Sequence, residues 1–488
     1  MGWLDDLLPA VVGWLYLAAL AGLAVYGLLG LYTLLLFWRH RAALAPRPGD
    51  PPGRAMTWPM VTVQLPVYNE RYVVERLIDA AVALEYAPGR VQILVLDDSA
   101  DCTTELAARL VGRYQAQGVN IQLLHRPGRV GYKAGALAAA LPATTGEFIA
   151  IFDADFQPPP DFLWQTIPAF LADRRLGVVQ TRWGHLNDGE SALTAAQAIA
   201  LDKHFAVEQL VRSRARLFPK FNGTAGVWRR DCLEDAGGWQ DDTVCEDLCL
   251  STRAVLRGWE FQFLPQVVAP AELPASLGAY KQQQARWAMG STQCLVKFGR
   301  AIWRSPQSLA ARLYALLTMS AYATSLLLLL LLLLQLPLLY WQVRFSPWLV
   351  LLGLAGLAQP LLFVIGQQAL YPRWGGRLRY LPAVLLVAVG MSVTIGGAVL
   401  QGLGRRRVVF WRTPKRGGQA VAPAGGGYRL SPGRGALLLE SLLAAYAAGG
   451  LLLALSRGQY GSLFFFATCL LGFGYVAGQG LREWWAQR

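Results

Sequence analysis

The chain has 488 residues, of which 54% are hydrophobic and only 16% are charged. An ordinary soluble domain has about 25% charged residues, so the composition argues against a purely soluble protein. Of the 45 basic and 31 acidic side chains, residues 301–488 hold 17 basic and only two acidic ones, which leaves 28 and 29 for residues 1–300. The basic excess therefore lies among long apolar runs, where Lys and Arg mark cytoplasmic loops, and no nucleic-acid partner is expected.

The first apolar run, residues 8–38, is long enough to cross a bilayer, which takes roughly 20 apolar residues. Two acidic residues, Asp5 and Asp6, precede it, and the basic stretch "RHR" follows at 39–41. A cleaved signal peptide is shorter and begins with basic residues, so we expect a retained transmembrane anchor at 1–40. The stretch 41–56 is rich in Pro and Gly and predicts a linker.

Residues 57–300 alternate short β-branched runs with helix-like stretches, such as 71–84 and 102–117. This alternation predicts an α/β domain with a mostly parallel sheet and crossover helices. The expected strands are 61–67, 91–97, 121–125, 148–154 and 177–181.

The six cysteines include no C-x-x-C pair, so we expect reduced thiols in the cytosol. Cys245 and Cys249 are four residues apart, but no histidine lies near them in the sequence, which argues against a zinc site.

Two aspartates, Asp153 and Asp155, follow the apolar run "IAIF". Alternate residues of a strand share a face, and open α/β sheets bind ligands at the carboxyl edge of their strands. A buried carboxylate needs a compensating charge, and two convergent carboxylates suit a hard divalent cation that bridges a diphosphate. By itself the pair also fits a surface turn with two solvated acids.

Four further segments carry polar residues suited to the same chemistry. They are "VLDDSADCT" at 95–103, "GYKAGAL" at 131–137, "TVCEDLCLSTRA" at 243–254 and "QQARWAMG" at 283–290. The lysine in the second segment begins a helix-like run, as a phosphate contact requires. Individually, the four segments also fit a turn, a helix start, a helical acid pair and an interfacial tryptophan.

In this order the motifs, together with "QLPVYNE", "FDADFQP" and "FNGTAGVWRR", resemble those of the processive family 2 glycosyltransferases. That family includes cellulose, chitin and hyaluronan synthases. The motif sequences are most similar to those of the plant cellulose synthase-like mannan and glucan synthases. The resemblance implies a cytosolic glycosyltransferase A-type (Rossmann-like) α/β domain inserted in an α-helical transmembrane region.

The resemblance also implies roles for five residues on the donor side. Glu70 and Asp98 match positions that hold the nucleotide base and ribose, and Lys133 matches the lysine on the diphosphate. Asp153 and Asp155 match the D-x-D acids, with Asp155 the principal metal ligand. The expected cofactor is a divalent cation, Mg²⁺ or Mn²⁺.

On the acceptor side, Asp247 matches the last residue of a T-E-D motif, the general base, and Glu246 precedes it as a second candidate catalytic acid. The motif departs from the family because Cys245 replaces its threonine and a hydroxyl hydrogen bond is lost. The Q-x-x-R-W motif follows, with its arginine expected at the diphosphate and its tryptophan on the acceptor sugar. Its residues here are Gln283, Arg286 and Trp287.

The C-terminal half is predicted to hold interfacial and transmembrane helices at 301–403, a cytosolic loop at 404–435 and a transmembrane hairpin with a tail at 436–488. In the loop, "FWRTPK" at 410–415 is similar to the gating-loop motif of cellulose synthases, which is cytosolic. We favour five spans with 381–403 in the interface; six spans are the alternative. The apolar runs are 313–341, 347–370, 381–403, 436–455 and 460–481.

Together these observations predict an inverting enzyme in the plasma (inner) membrane that polymerises a β-linked glucan or mannan and translocates it. The presence of one base and no enzyme nucleophile implies a single displacement. The donor is expected to be UDP-glucose or GDP-mannose, and the acceptor a growing glycan. Transfer of one sugar to a lipid acceptor is the alternative, and a transporter with an inactive domain is disfavoured because every expected acid is present.

Overall fold

The computed structural model of the chain describes residues 2–44, 58–404, 415, 417 and 434–486. Most of the predicted linker at 41–56 and of the predicted loop at 404–435 lies outside the described residues. The gating-like motif at 410–415 is likewise outside them, except for Lys415.

A seven-stranded sheet forms the centre of the soluble domain, in the spatial order β3-β2-β1-β4-β6-β5-β7. All neighbouring strands are parallel except β6, which is antiparallel to both β4 and β5. The strands are Val61–Val67 (β1), Val91–Asp97 (β2), Ile121–His125 (β3), Phe148–Ile151 (β4), Leu176–His185 (β5), Gly226–Arg229 (β6) and Glu260–Ala271 (β7).

Apolar residues cover both faces of the sheet, as expected of parallel strands with crossover helices. In β4, Phe148 and Ala150 pack into one core, whereas Ile149 and Ile151 pack into the other. This two-sided burial explains why the strand sequences are continuous apolar runs. It also leaves the carboxyl ends of β1, β2 and β4 as the places where polar side chains can gather.

The five predicted strands are all present, but the sequence analysis did not identify β6 and β7. β7 contains two prolines, which argue against a strand except at a sheet edge, and β7 is indeed the last strand of the sheet. β4 ends at Ile151, three residues before the predicted end. Asp153 and Asp155 therefore lie in the loop that follows the strand.

The first helix, Gly2–His40 (α1), precedes the sheet domain, and helices connect the strands. A six-residue π-helical turn, His204–Gln209, joins α6 to α7. The helices of the sheet domain are Val74–Val82 (α2), Thr103–Ala116 (α3), Tyr132–Ala140 (α4), Phe162–Ala172 (α5), Ala192–Lys203 (α6), Leu210–Arg214 (α7), Arg230–Asp235 (α8), Glu246–Leu256 (α9) and Leu277–Arg304 (α10). Because α10 continues to Arg304, the predicted domain boundary at 300 falls inside a helix.

The remaining helices form the apolar part of the chain. They are Leu309–Met319 (α11), Thr324–Tyr340 (α12), Val350–Ala355 (α13), Ala358–Leu370 (α14), Leu381–Gly390 (α15), Ser392–Leu403 (α16), Arg434–Ser456 (α17) and Leu463–Ala486 (α18). The apolar run predicted at 313–341 is divided, because α11 ends at Met319 and a separate helical segment begins at Ala321.

Within the part of the chain that the structure describes, five helical segments are long and apolar enough to cross a membrane, and the chain is a membrane protein. A sixth apolar segment consists of Trp374–Gly390 and Ser392–Leu403, bent by 47° at their junction. Such a bent pair fits either a broken span or a re-entrant segment, so both predicted topologies stay open. The five segments are Leu7–His40, Ala321–Tyr340, Pro347–Leu370, Gly435–Ser456 and Tyr460–Trp485.

Candidate active site

Lys133 lies at the centre of the candidate site, in the first turn of α4. Gly131 lies immediately before α4 and has φ +72°, a backbone conformation that favours glycine. The Lys133 Nζ is 2.5 Å from Asp153 Oδ1, 3.8 Å from Glu246 Oε1 and 2.8 Å from the carbonyl oxygen of Gly223, to which it donates a hydrogen bond. Burial lowers the pKa of Lys133, but the charges of Asp153 and Glu246 outweigh burial and raise it.

The two D-x-D acids have different partners. The backbone N–H of Asp153 donates a 2.8 Å hydrogen bond to Thr224 Oγ1, which fixes the start of the loop after β4. Asp155 Oδ2 is 2.6 Å from Lys415 Nζ, and that ammonium also donates to the carbonyl oxygen of Glu272 at 3.2 Å. In this structure a different lysine therefore compensates the charge of each carboxylate.

These residues fit a divalent cation that shares its ligands with a substrate. Among the described residues, no group of three or more His, Cys, Asp or Glu side chains is arranged to hold a metal ion. Mg²⁺ is typically bound by one or two carboxylates together with substrate phosphates rather than by a closed protein cage. Asp153 and Asp155 supply two carboxylates at the sheet edge, and a nucleotide diphosphate would supply further oxygens.

Glu246 and Asp247 occupy the first turn of α9, beside Lys133. Burial chiefly, with a contribution from the neighbouring Asp247 charge, raises the pKa of Glu246 to about 7. Burial also raises the pKa of Asp247, although the positive charge of Lys133 opposes this effect. A carboxylate with a raised pKa is a better proton acceptor near neutral pH, so both acids suit general-base chemistry.

Asp247 lies close to Gly223. A Cβ atom built on Gly223 would lie only 3.1 Å from Asp247 Oδ2, and Gly223 has φ +85°. The backbone N–H of Leu248 donates a 2.8 Å hydrogen bond to Asp247 Oδ1, leaving Oδ2 on the side of Gly223. The contacts of Lys133 and Gly223 thus bring Asp153, Glu246 and Asp247 to one place.

The paired acids after β2 serve separate purposes in the structure. Asp97 is fully buried and accepts hydrogen bonds from the Thr104 hydroxyl at 2.6 Å and from the Ser99 N–H at 3.0 Å. Burial would raise the pKa of Asp97, but hydrogen bonds from Ser99, Thr104 and His125 outweigh it and lower the pKa. Asp97 is therefore a structural residue.

Asp98, the predicted ribose ligand, forms a two-point ion pair with Arg126, at 2.7 and 2.5 Å. Arg126 also donates to the carbonyl oxygens of Val130 and Tyr132, each at 3.2 Å. Asp98 therefore fixes, through Arg126, the loop that leads into Lys133. Its contact with a nucleotide stays a prediction.

Glu70, the other predicted nucleotide contact, lies in the loop after β1. Asn69 in this loop has φ +53°, its N–H donates to Ser99 Oγ at 2.7 Å, and its side-chain oxygen accepts from the Ala100 N–H at 2.9 Å. These bonds connect the loops after β1 and β2. Glu70 and Asp98 are therefore on adjoining loops at the same sheet edge as Lys133.

The Q-x-x-R-W residues Gln283, Arg286 and Trp287 are all partly buried on α10. α10 approaches the start of α9 closely, since a Cβ atom built on Gly290 would lie 2.2 Å from Cys245 Sγ. Cys245 Sγ is 3.9 Å from the carbonyl oxygen of Arg286. The motif is thus adjacent to the turn that carries Glu246 and Asp247.

Both acids of residues 301–488 contact α10. Glu483 on α18 accepts hydrogen bonds from the backbone N–H groups of Leu277, at 2.9 Å, and Gly278, at 3.1 Å. Glu440 on α17 is fully buried and pairs with Lys281 at 2.7 Å. The C-terminal hairpin thus holds the helix that carries the Q-x-x-R-W motif.

The segment Asn222–Ala225 contributes contacts that the sequence analysis did not predict. The Thr224 hydroxyl accepts a hydrogen bond from the Asp153 N–H, and the Gly223 carbonyl oxygen accepts one from Lys133 Nζ. Gln180 supports this segment, because its side-chain oxygen accepts from the Asn222 N–H at 2.8 Å and its side-chain nitrogen donates to the Thr224 carbonyl oxygen at 3.1 Å. The segment was noted within "FNGTAG", but the contact of Gly223 is made through its backbone carbonyl oxygen and leaves no side-chain signal.

Residues 59–290 match the family described as "Glycosyltransferase like family 2". These residues form a family 2 glycosyltransferase domain. The match covers β1 to β7 and includes every candidate site residue described above except Lys415. It confirms, for these residues, the predicted resemblance to family 2 glycosyltransferases.

Curated relatives of the glycosyltransferase domain include plant enzymes. Glucomannan 4-beta-mannosyltransferase 1 of Cyamopsis tetragonoloba is 45% identical over 253 residues, which are 51% of this chain and 48% of the relative. Glucomannan 4-beta-mannosyltransferase 2 of Arabidopsis thaliana is 41% identical over 277 residues, 55% of this chain and 52% of the relative. The chain therefore spans about half the length of these relatives.

A solved structure shows the same fold. The mannosyltransferase PcManGT from Pyrobaculum calidifontis, solved in complex with GDP-Man and Mn²⁺, superposes with a TM-score of 0.55 at 23% identity. The alignment covers 80% of this chain and all of that chain. The predicted glycosyltransferase A-type fold class is confirmed.

Proposed function

We propose that the chain is an inverting mannosyltransferase that builds a β-linked mannan from GDP-mannose and translocates it across the membrane. The observation that carries the proposal is the convergence of Lys133, Asp153, Glu246 and Asp247 at one edge of the sheet. The names of the relatives, at 41–45% identity, support mannose rather than glucose as the donor sugar.

The donor would bind with its diphosphate beside Lys133, whose ammonium stabilises the negative charge that develops as the nucleotide leaves. A divalent cation, Mg²⁺ or Mn²⁺, held by Asp155 and Asp153 would neutralise further charge on the diphosphate. Arg286 would contact the same diphosphate, and Trp287 and Gln283 would hold the acceptor. Glu70 and Asp98 would hold the nucleoside on the adjoining loops.

Asp247 is the proposed general base. Its raised pKa and its position beside Gly223 suit removal of a proton from the acceptor hydroxyl as that oxygen attacks the anomeric carbon. Glu246 adjoins it and contributes charge to the same pocket. A single displacement by the acceptor oxygen inverts the anomeric configuration, so an α-linked donor gives a β-linkage.

The catalytic domain is proposed to face the cytosol at the plasma (inner) membrane, because Arg and Lys dominate the loops of the membrane part. A polymer made on this side needs a route outward, which the apolar helices next to α10 would provide.

The test uses the purified full-length protein in detergent, incubated with GDP-mannose or UDP-glucose and with Mn²⁺, Mg²⁺ or a chelator. We expect a high-molecular-weight product from GDP-mannose that an endo-β-mannanase degrades, and none in the chelator. A product carrying one sugar on a lipid would contradict polymerisation, and a product from UDP-glucose alone would contradict the donor. Asp247→Asn is the negative control.

A further inference from the structure

Near the active site, the π-helical turn His204–Gln209 widens the helix between α6 and α7. Such turns are rare in soluble proteins and are often found at functional sites. Three polar side chains of this region, His204, Glu208 and Gln209, belong to one hydrogen-bonded network that reaches Asn222.

The direction of each hydrogen bond follows from one backbone carbonyl. Gln209 Nε2 lies 3.0 Å from the carbonyl oxygen of Lys220, which can only accept, so the Gln209 atom is the amide nitrogen. The same nitrogen lies 3.1 Å from the Asn222 side chain, which must therefore present its oxygen. Consequently the other end of the Asn222 amide, its Nδ2 donor, faces His204 at 3.0 Å.

This orientation determines the tautomer of His204. Because Asn222 Nδ2 donates, His204 Nε2 accepts, and the imidazole proton is on Nδ1. That N–H donates to Glu208 Oε2 at 2.9 Å, while Lys203 Nζ pairs with the other Glu208 oxygen at 2.6 Å. Burial lowers the pKa of His204 to about 4, in agreement with a neutral ring.

Asn222 connects this network to the reaction centre. The next residue is Gly223, whose carbonyl oxygen accepts from Lys133 Nζ at 2.8 Å. A Cβ atom on Gly223 would lie 3.1 Å from Asp247 Oδ2 and 3.6 Å from Lys133 Nζ. A displacement of Asn222 therefore moves a backbone carbonyl that orients the lysine and a backbone atom that contacts the base.

We propose that His204 is a positioning residue. It transmits the fixed orientation of Glu208 to Asn222 and so holds the Gly223 carbonyl that orients Lys133. The kinetic consequence rests on the proposed function, because it assumes that Lys133 binds the donor diphosphate. The tautomer of His204 does not depend on that assumption.

The kinetic test compares three variants of the full-length protein with the wild type. His204→Leu removes both hydrogen bonds, and we expect kcat to fall by about 10–100-fold, the range for residues that orient a reactive group, with a higher donor KM. His204→Gln retains an acceptor toward Asn222 and should recover most of the loss. Lys203→Met breaks the ion pair that fixes Glu208 but leaves the His204–Asn222 bond, so its kcat should fall in the same direction as in His204→Leu but by less.

A second buried His–carboxylate pair, between His185 of β5 and Asp202 of α6, provides the matched control. His185 Nε2 and Asp202 Oδ1 are 2.9 Å apart, and Asp202 also accepts from Gln367 on α14. His185→Leu should lower thermal stability without changing the ratio of donor KM to kcat. If His204→Leu behaves like His185→Leu, or if His204→Gln is as impaired as His204→Leu, the proposal is wrong.

The second measurement needs no activity. Nitrogen NMR of ¹⁵N-histidine-labelled protein at pH 7 should show a neutral Nδ1–H tautomer for the signal that disappears in His204→Gln. An Nε2–H tautomer or a charged ring would overturn the proposal. Because this experiment uses no donor, an inactive preparation with the expected tautomer would count against the proposed function and not against the hydrogen-bond network.

Discussion

The two halves of the molecule use charge differently. In the glycosyltransferase domain, Lys133 of α4 contacts Asp153, in the loop after β4, and Glu246, in the first turn of α9. In residues 301–488 the acids are Glu440 and Glu483, and both contact α10. Charge in the first half assembles the candidate site, whereas acidic charge in the second half anchors a helix that borders it.

The exposure of the pairs supports this distinction. Asp153 is 35% exposed, so a ligand can reach it, whereas Glu440 is not exposed at all. A buried ion pair adds little net stability, but the removal of one partner is costly because the other charge stays buried. Substitutions in the first half should therefore change rates most, and substitutions in the second half should change stability most.

The largest effect is expected for Asp247→Asn. This change removes the proposed general base, and the rate should fall by about 10²–10⁴-fold. Donor binding, measured by nucleotide-sugar titration, should stay nearly unchanged. Asp231→Asn, an exposed residue outside the cleft, is the control, and a comparable turnover in both variants would refute the assignment of the base.

Asp155→Ala should reduce the rate by about 100-fold, because charge stabilisation by a metal ion contributes several kcal/mol. The remaining rate should no longer respond to added Mn²⁺ or Mg²⁺. The measurement is the initial rate as a function of cation concentration. A wild-type response to the cation in this variant would place the metal on other residues.

Lys281→Met tests whether the ion pair with Glu440 stabilises the second half of the molecule. It leaves the buried Glu440 without its partner and should lower the free energy of unfolding by about 3 kcal/mol. The double variant Lys281→Met with Glu440→Gln should recover part of that loss. Thermal unfolding in detergent measures both variants, and equal destabilisation of the single and double variants would show that the charge pairing is not the cause.

The pH dependence of transfer gives a smaller effect. Activity should fall as the pH decreases through the raised pKa of Asp247, because the base must be unprotonated. The charge of Lys220 lowers that pKa, so Lys220→Met should move the acidic limb of the rate profile to higher pH. A shift to lower pH, or none, would show that another group controls this limb.

The smallest effect is expected for Cys245→Ser. Cys245 packs against Gly290, and the half-buried thiol does not touch the Asp247 carboxylate in any described contact. Serine should change the rate by less than about threefold, far below the general-base contribution. A larger gain in rate would indicate that the hydroxyl of the family motif orients the base.

The sequence predicted the parts of the fold and site that depend on local patterns. The strands β1, β2 and β3 match their predicted bounds, because each is a short apolar run bounded by turn residues. Lys133, Asp153 and Asp247 lie together as their motifs implied. The prolines of β7 concealed an edge strand, and β6 is only four residues long.

The remaining contacts depend on residues far apart in the chain. Lys281 and Glu440 are 159 positions apart, and Leu277 and Glu483 are 206 apart. No local periodicity predicts such pairs. The same applies to His204 and Asn222, where the tautomer follows from a carbonyl of Lys220 that only the folded backbone brings into place.

The attachment of α10 to the last two helices has a mechanical consequence. Glu483 accepts hydrogen bonds from the first backbone amides of α10. Further along the same helix, Gly290 packs against Cys245, at the start of α9. If the surrounding lipid tilts the terminal hairpin, α10 would transmit the movement to the first turn of α9, which carries Asp247. Bilayer thickness should thus alter the rate of the proposed transfer reaction.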